Sequence, residues 1–133
     1  SSSPWPACGE IDIMEYRGQQ PRLVHGSLHG PGNSGGSAIT QSYTCPRGTF
    51  ASDFHVFAVD WDASGIHWSV DGTTYATAAP GDLPSGANWV FGHPFFIVLN
   101  VAVGGTFVGG PDASTIFPQT MTVDYVRVYA PAP

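Results

Sequence analysis

Glycine and proline punctuate this chain every few residues, and no other feature limits its fold as strongly. The 17 glycines and 12 prolines among 133 residues follow no period. Each one breaks a helix or weakens it, which excludes coiled coil, helical bundle and collagen. Between the breaks lie short runs with the two-residue alternation of a strand. Residues 9–16 read GEIDIMEY, with Ile11 and Ile13 alternating with Glu10 and Asp12. Leu23–His29 reads LVHGSLH and puts His25, Ser27 and His29 on one face. Residues 39–43 form a further short run. Residues 54–62 align His55, Phe57, Val59 and Trp61, with Trp61 expected in the core. Asp71-Gly72 suits the positive φ angles of a tight primed turn, so Ile66–Val70 and residues 73–76 are predicted to pair as a hairpin. Residues 95–103 are nearly all apolar, as in a strand covered on both faces, and residues 120–129 are rich in β-branched and aromatic side chains. Eight or so strands and no convincing helix predict an all-β fold, an antiparallel β-sandwich with a barrel as the alternative. A single domain over residues 1–133 is expected.

Charge narrows the function. Only 11% of residues are charged, against 42% hydrophobic and 13% aromatic, a balance that folds rather than stays disordered. No apolar run approaches the roughly 20 residues of a membrane helix, so no membrane partner is expected. The chain has no lysine, four arginines and ten acids, for a net charge of −6. With no basic cluster to track phosphates, nucleic acid is excluded as an expected partner. Cys8 and Cys45 alone hold no metal; a Cys8–Cys45 disulfide and two free thiols both fit their number.

The only two glutamates, Glu10 and Glu15, stand in one segment with Asp12 between them. On a regular strand Glu10 and Asp12 share a face and Glu15 points the other way. A β-bulge near Ile13 or Met14 would return Glu15 to their side. Ile11, Ile13 and Met14 would then pack inward while three carboxylates crowd outward. Such crowding raises at least one pKa and leaves the other groups ionised. One proton donor beside one anion is what glycoside cleavage requires. A solvated edge strand and an Asp/Glu calcium site are the other readings of the same spacing.

GEIDIME resembles the active-site signature of glycoside hydrolase family 16. Its form, with one additional residue before the second glutamate, is similar to that of the laminarinase branch. WPACGEIDIMEY, VHGSLHGPG, DFHVFAVDW, PFFIVLNVAVGG and VDYVRVY stand in the order expected of that branch. The resemblance implies a concanavalin-like jelly roll and a secreted, retaining endo-β-1,3-glucanase whose partner is β-glucan. It implies Glu10 as nucleophile, Glu15 as acid/base, and Asp12 as the carboxyl that hydrogen-bonds the nucleophile. Trp5 is similar in position to a tryptophan that stacks a sugar ring, with a core anchor as its other reading. His29 borders the cleft as a substrate contact or is held structurally. Asn100, the one polar residue in its run, ties loops or faces substrate. Asp124 resembles a ligand of a structural calcium, completed by backbone carbonyls, or sits in a surface ion pair. No cofactor is implied for catalysis.

The chain departs from the family in length, because its signature begins at residue 10 rather than near the middle. It therefore resembles the C-terminal half of such a domain, an incomplete jelly roll for which a separate N-terminal half chain is a candidate partner. A non-catalytic β-glucan-binding module and a glucan transglycosylase are the rival functions.

Overall fold

The computed structural model describes residues 3–130, which fall into two compact units, Ser1–Phe95 and Phe96–Pro133. All regular strands of the described residues lie in the first unit. β1 (Glu10–Tyr16), β2 (Leu23–His29) and β3 (Ile39–Thr44) form one antiparallel sheet in that order, and β4 (Phe57–Trp61), β5 (Ile66–Val70) and β6 (Thr73–Ala78) form a second. The predicted turn is present, with Asp71 at φ 50° and Gly72 at φ 78° between β5 and β6. Asp71 also fastens the chain before β4, since its Oδ1 accepts from Val56 N at 2.8 Å and its Oδ2 lies 2.7 Å from His55 Nδ1.

The sheets stack because each offers one apolar face. Leu28 of β2 is buried with Ile66 and Trp68 of β5, Ala76 and Ala78 of β6, and Phe91, while Ile11, Ile39 and Val59 pack against them. Val24, Cys45, Phe50 and Val70 form a second cluster, onto which Met14 and Tyr16 pack. Each large side chain so buried contributes about 1.5–3 kcal/mol.

Trp68 links core to backbone. It is 1% exposed, and its indole N–H crosses between the sheets to donate to Asp12 O at 2.9 Å. Gly26 opposite has no side chain, which leaves room for that ring. A Cβ there would overlap the Trp68 indole and lie 2.7 Å from the Tyr75 hydroxyl.

Three expectations are corrected. Residues 95–103 and 120–129 form no strand among the described residues, and their side chains are largely exposed, Phe96 to 85%. A strand is made by its hydrogen-bonded neighbour, and no described segment pairs with either run. Trp61, expected in the core, is 41% exposed at the end of β4.

Gly26→Ala should therefore cost about 1–3 kcal/mol in urea unfolding, the usual range for overpacking. Gly18→Ala, where a Cβ meets nothing within 4 Å, serves as control and should leave stability nearly unchanged. Equal effects at the two positions would contradict the close approach of Trp68 to β2.

Candidate active site

The carboxylates are arranged by a register change. Glu10 lies opposite His29, Asp12 opposite Ser27 and Glu15 opposite His25, so three residue steps on β1 face two on β2. One residue is extra. This is the bulge expected from the sequence, and it sits between Asp12 and Glu15. Its consequence for the apolar residues differs from expectation. Ile11 and Met14 pack inward, whereas Ile13 is 37% exposed, because the extra residue drops out of the in-and-out alternation.

The chain before β1 turns tightly, with Cys8 N donating to Pro4 O and Gly9 N to Pro6 O. Gly9 stands at φ 71°, a conformation that favours glycine. The turn carries Trp5 back to the strand, where its indole N–H donates to Glu10 Oε2 at 2.6 Å. About half of Trp5, 53%, stays exposed, and its ring centroid is 6.1 Å from that of His29. The Gly35 backbone N–H donates to His29 Nδ1 at 3.0 Å, which assigns the imidazole hydrogen to Nε2. His29 Nε2 faces Asp12 Oδ2 at 3.1 Å. Asp12 Oδ2 itself makes no hydrogen bond of good geometry among the described residues.

Ser27, 1% exposed, donates from Oγ to Glu15 Oε2 at 2.6 Å and lies 2.9 Å from Thr40 Oγ1. His25 Nδ1 meets Ser42 Oγ at 2.8 Å. Burial holds the His25 pKa below its ordinary value with Arg17 acting in the same sense, against the opposing charge of Glu15.

Of the three crowded acids, Asp12 is the one whose proton is held. Burial pushes its pKa from 3.8 to about 8, and the charges of Glu10 and Glu15 and a hydrogen bond to Glu10 act in the same direction. At neutral pH Asp12 is therefore a neutral acid that donates to Glu10. A protonated central acid, a flanking carboxyl group held by two donors and a second carboxyl group held by a serine hydroxyl are together suited to acid/base and nucleophilic chemistry.

Trp5, Glu10, Asp12, Glu15 and His29 thus lie close together along β1, β2 and the turn before them. Ser27 was placed on the face of His25 and His29 by alternation, but its bond to Glu15 depends on the bulge. Asn100 and Asp124 lie in the second unit, exposed and outside any strand. Asn100 is therefore not the buried amide expected of a covered strand. Calcium takes six to eight oxygens, and Asp124 supplies one carboxylate. No group of three or more His, Cys, Asp or Glu suited to a metal occurs among the described residues, so side chains alone do not make the site. Cys8 and Cys45 are free thiols, and Cys45 is buried with its Sγ donating to Arg47 O. A cavity between Tyr43, Phe50, His55 and Arg47 lies apart from the carboxylate trio and includes none of its members.

Comparison with known proteins gives the family. The family model of glycosyl hydrolases family 16 matches residues 1–127. A glucan endo-1,3-beta-glucosidase A1 from Niallia circulans is 46% identical over 94% of this chain and 20% of its own length. The endo-beta-1,3-glucanase structure from Pyrococcus furiosus is 52% identical with a TM-score of 0.81, over 86% of this chain and 44% of that one. The laminarinase catalytic domain from Thermotoga maritima is 50% identical with a TM-score of 0.80, over 85% and 46% respectively. The chain belongs to glycosyl hydrolases family 16 and has its all-β jelly-roll architecture, and it spans less than half the length of these relatives.

The raised Asp12 pKa has a sign that can be tested. Between about pH 4 and pH 8 the folded chain binds the Asp12 proton more tightly than the unfolded one, so stability falls as pH rises through that window. The loss is up to about 1.4 kcal/mol per pH unit. Asp12→Asn removes the titration, and its melting temperature should gain on the unsubstituted chain steadily from pH 5 to pH 8. A difference independent of pH would contradict a proton held at Asp12.

Proposed function

We propose that this family 16 chain carries the catalytic centre of a secreted, retaining endo-β-1,3-glucanase of laminarinase type. One observation carries the reading: the bulge in β1 sets Glu10 and Glu15 on the same polar face, on either side of Asp12. A retaining glycosidase needs two carboxyls in different protonation states flanking the scissile bond. With its proton held, Asp12 donates to Glu10, as does the Trp5 indole, and two donors orient Glu10 as the anion that attacks the anomeric carbon. Glu15, held by Ser27, gives a proton to the departing glycosidic oxygen and later takes one from water.

The open part of Trp5 gives a pyranose ring an aromatic surface, and His29 lies within reach of the same sugar. A polymeric substrate does not cross a membrane, which is the support for secretion. The proposal extends to a separate N-terminal half chain as partner beside β-glucan. The exposed apolar runs at residues 95–103 and 120–129, which pair with no strand among the described residues, support it. Calcium enters only as a structural ion at Asp124 with backbone carbonyls, and no cofactor serves the chemistry.

Reducing-end release from laminarin should fall by at least about 100-fold in Glu10→Gln, the scale of a lost catalytic group, while laminarin binding persists. Glu15→Ala, given an activated aryl β-glucoside and azide, should recover turnover and yield the β-glycosyl azide. An α-azide from Glu15→Ala would reverse the two roles, and full activity in Glu10→Gln would overturn the reading.

A further inference from the structure

An acid/base group in a double displacement is used in both protonation states, so its surroundings must accept both. This inference rests on the role proposed for Glu15. Ser27 Oγ is buried and touches two groups, Glu15 Oε2 at 2.6 Å and Thr40 Oγ1 at 2.9 Å. Thr40 is exposed at the sheet surface, where its hydroxyl can always find water. A serine hydroxyl has one hydrogen to give and lone pairs to receive with. We propose that Ser27 and Thr40 form a reversible hydroxyl pair that positions Glu15 in both of its protonation states.

The direction of the pair follows the charge. With Glu15 ionised, Ser27 donates to Oε2 and accepts from Thr40. With Glu15 protonated, the Glu15 O–H donates to Ser27 Oγ and the serine hydrogen turns to Thr40. No proton leaves the pair. In the first displacement Glu10 bonds to the anomeric carbon as the glycosidic C–O bond breaks, and the Glu15 proton goes to the leaving oxygen. In the second, the oxygen of water replaces Glu10 and its proton goes to Glu15. Without Thr40 the buried serine hydrogen would lose the acceptor it turns to when Glu15 donates to Ser27 Oγ.

Other titratable groups lie near Glu15. Glu10 and Asp12 lie along β1 and Arg17 just beyond it. His25 stands opposite on β2, and His29 of β2 faces Asp12. β3 brings neutral Thr40 and Ser42 to this face, while its Tyr43 packs inward. Ser27 and Thr40 are neutral at every accessible pH, so their effect is separable from these charges by substitution.

The chain has only two glutamates, so carboxyl-13C glutamate labelling gives two resonances, assigned by Glu10→Gln and Glu15→Gln. Their titration is read in the unsubstituted chain and three variants, with no need of turnover. Ser27→Ala removes the donor to the carboxylate, whose hydrogen bonds are stronger than those of the neutral acid, and should move the Glu15 midpoint up by about one pH unit. Thr40→Val penalises the protonated form and should move the midpoint down. Thr40→Ser, which keeps the hydroxyl, should restore it. A Glu15 midpoint unchanged in Ser27→Ala, or moved upward in Thr40→Val, would overturn the pair. Thr40→Val lies on the exposed surface and keeps the test open should Ser27→Ala fail to fold. Opposite midpoint shifts in a chain whose laminarin hydrolysis is indifferent to Glu10→Gln would uphold the pair and refute the glucanase reading.

Discussion

One extra residue in β1 decides on which side of the sheet Glu15 stands. A strand alternates its side chains without exception until its register is broken. Glu10 and Glu15, five positions apart, would otherwise lie on opposite faces. The bulge between Asp12 and Glu15 sends Ile13 outward, keeps Ile11 and Met14 in the core, and returns Glu15 to the polar face. The Trp68 indole donates to Asp12 O at the start of the bulge, so the core on the far side of the sheet is tied to the residue where the irregularity begins. Gly26 makes that tie sterically possible. The polar face and the packing beneath it are one construction.

From that arrangement the electrostatics follow. Three acids with no lysine nearby do not share their protons equally. Asp12 is partly buried between Glu10 and Glu15 of its own strand, with His29 Nε2 3.1 Å from its Oδ2, and it takes the proton. Glu10 is then held by two donors, Asp12 and the Trp5 indole, and Glu15 by Ser27. Two glutamates of identical chemistry thus differ in what each one touches.

Much of this was legible in the sequence, for local reasons. β1, β2 and the β5–β6 hairpin are encoded by alternation and by Asp71-Gly72, which report directly on backbone geometry. The bulge was legible because three acids within six residues are incompatible with a regular strand serving one site. What Ile13 does, and which acid keeps the proton, depend on burial by residues from other strands, and no local pattern carries that. Ser27 lay on the right face, but its partner is chosen by the bulge. The apolar pattern of residues 95–103 and 120–129 reports a tendency to be covered, whereas a strand requires a hydrogen-bonding neighbour, and none of the described segments provides one. Trp61 follows the same logic, its alternation continuing past the point where β4 meets the core.

The central claim is that the bulged strand presents Glu10 as the nucleophile. Trapping with a 2-deoxy-2-fluoro-β-laminaribiosyl fluoride, followed by peptide mass mapping, tests it directly. One covalent sugar is expected, bound through an ester to Glu10. A sugar on Glu15 or Asp12 would contradict it.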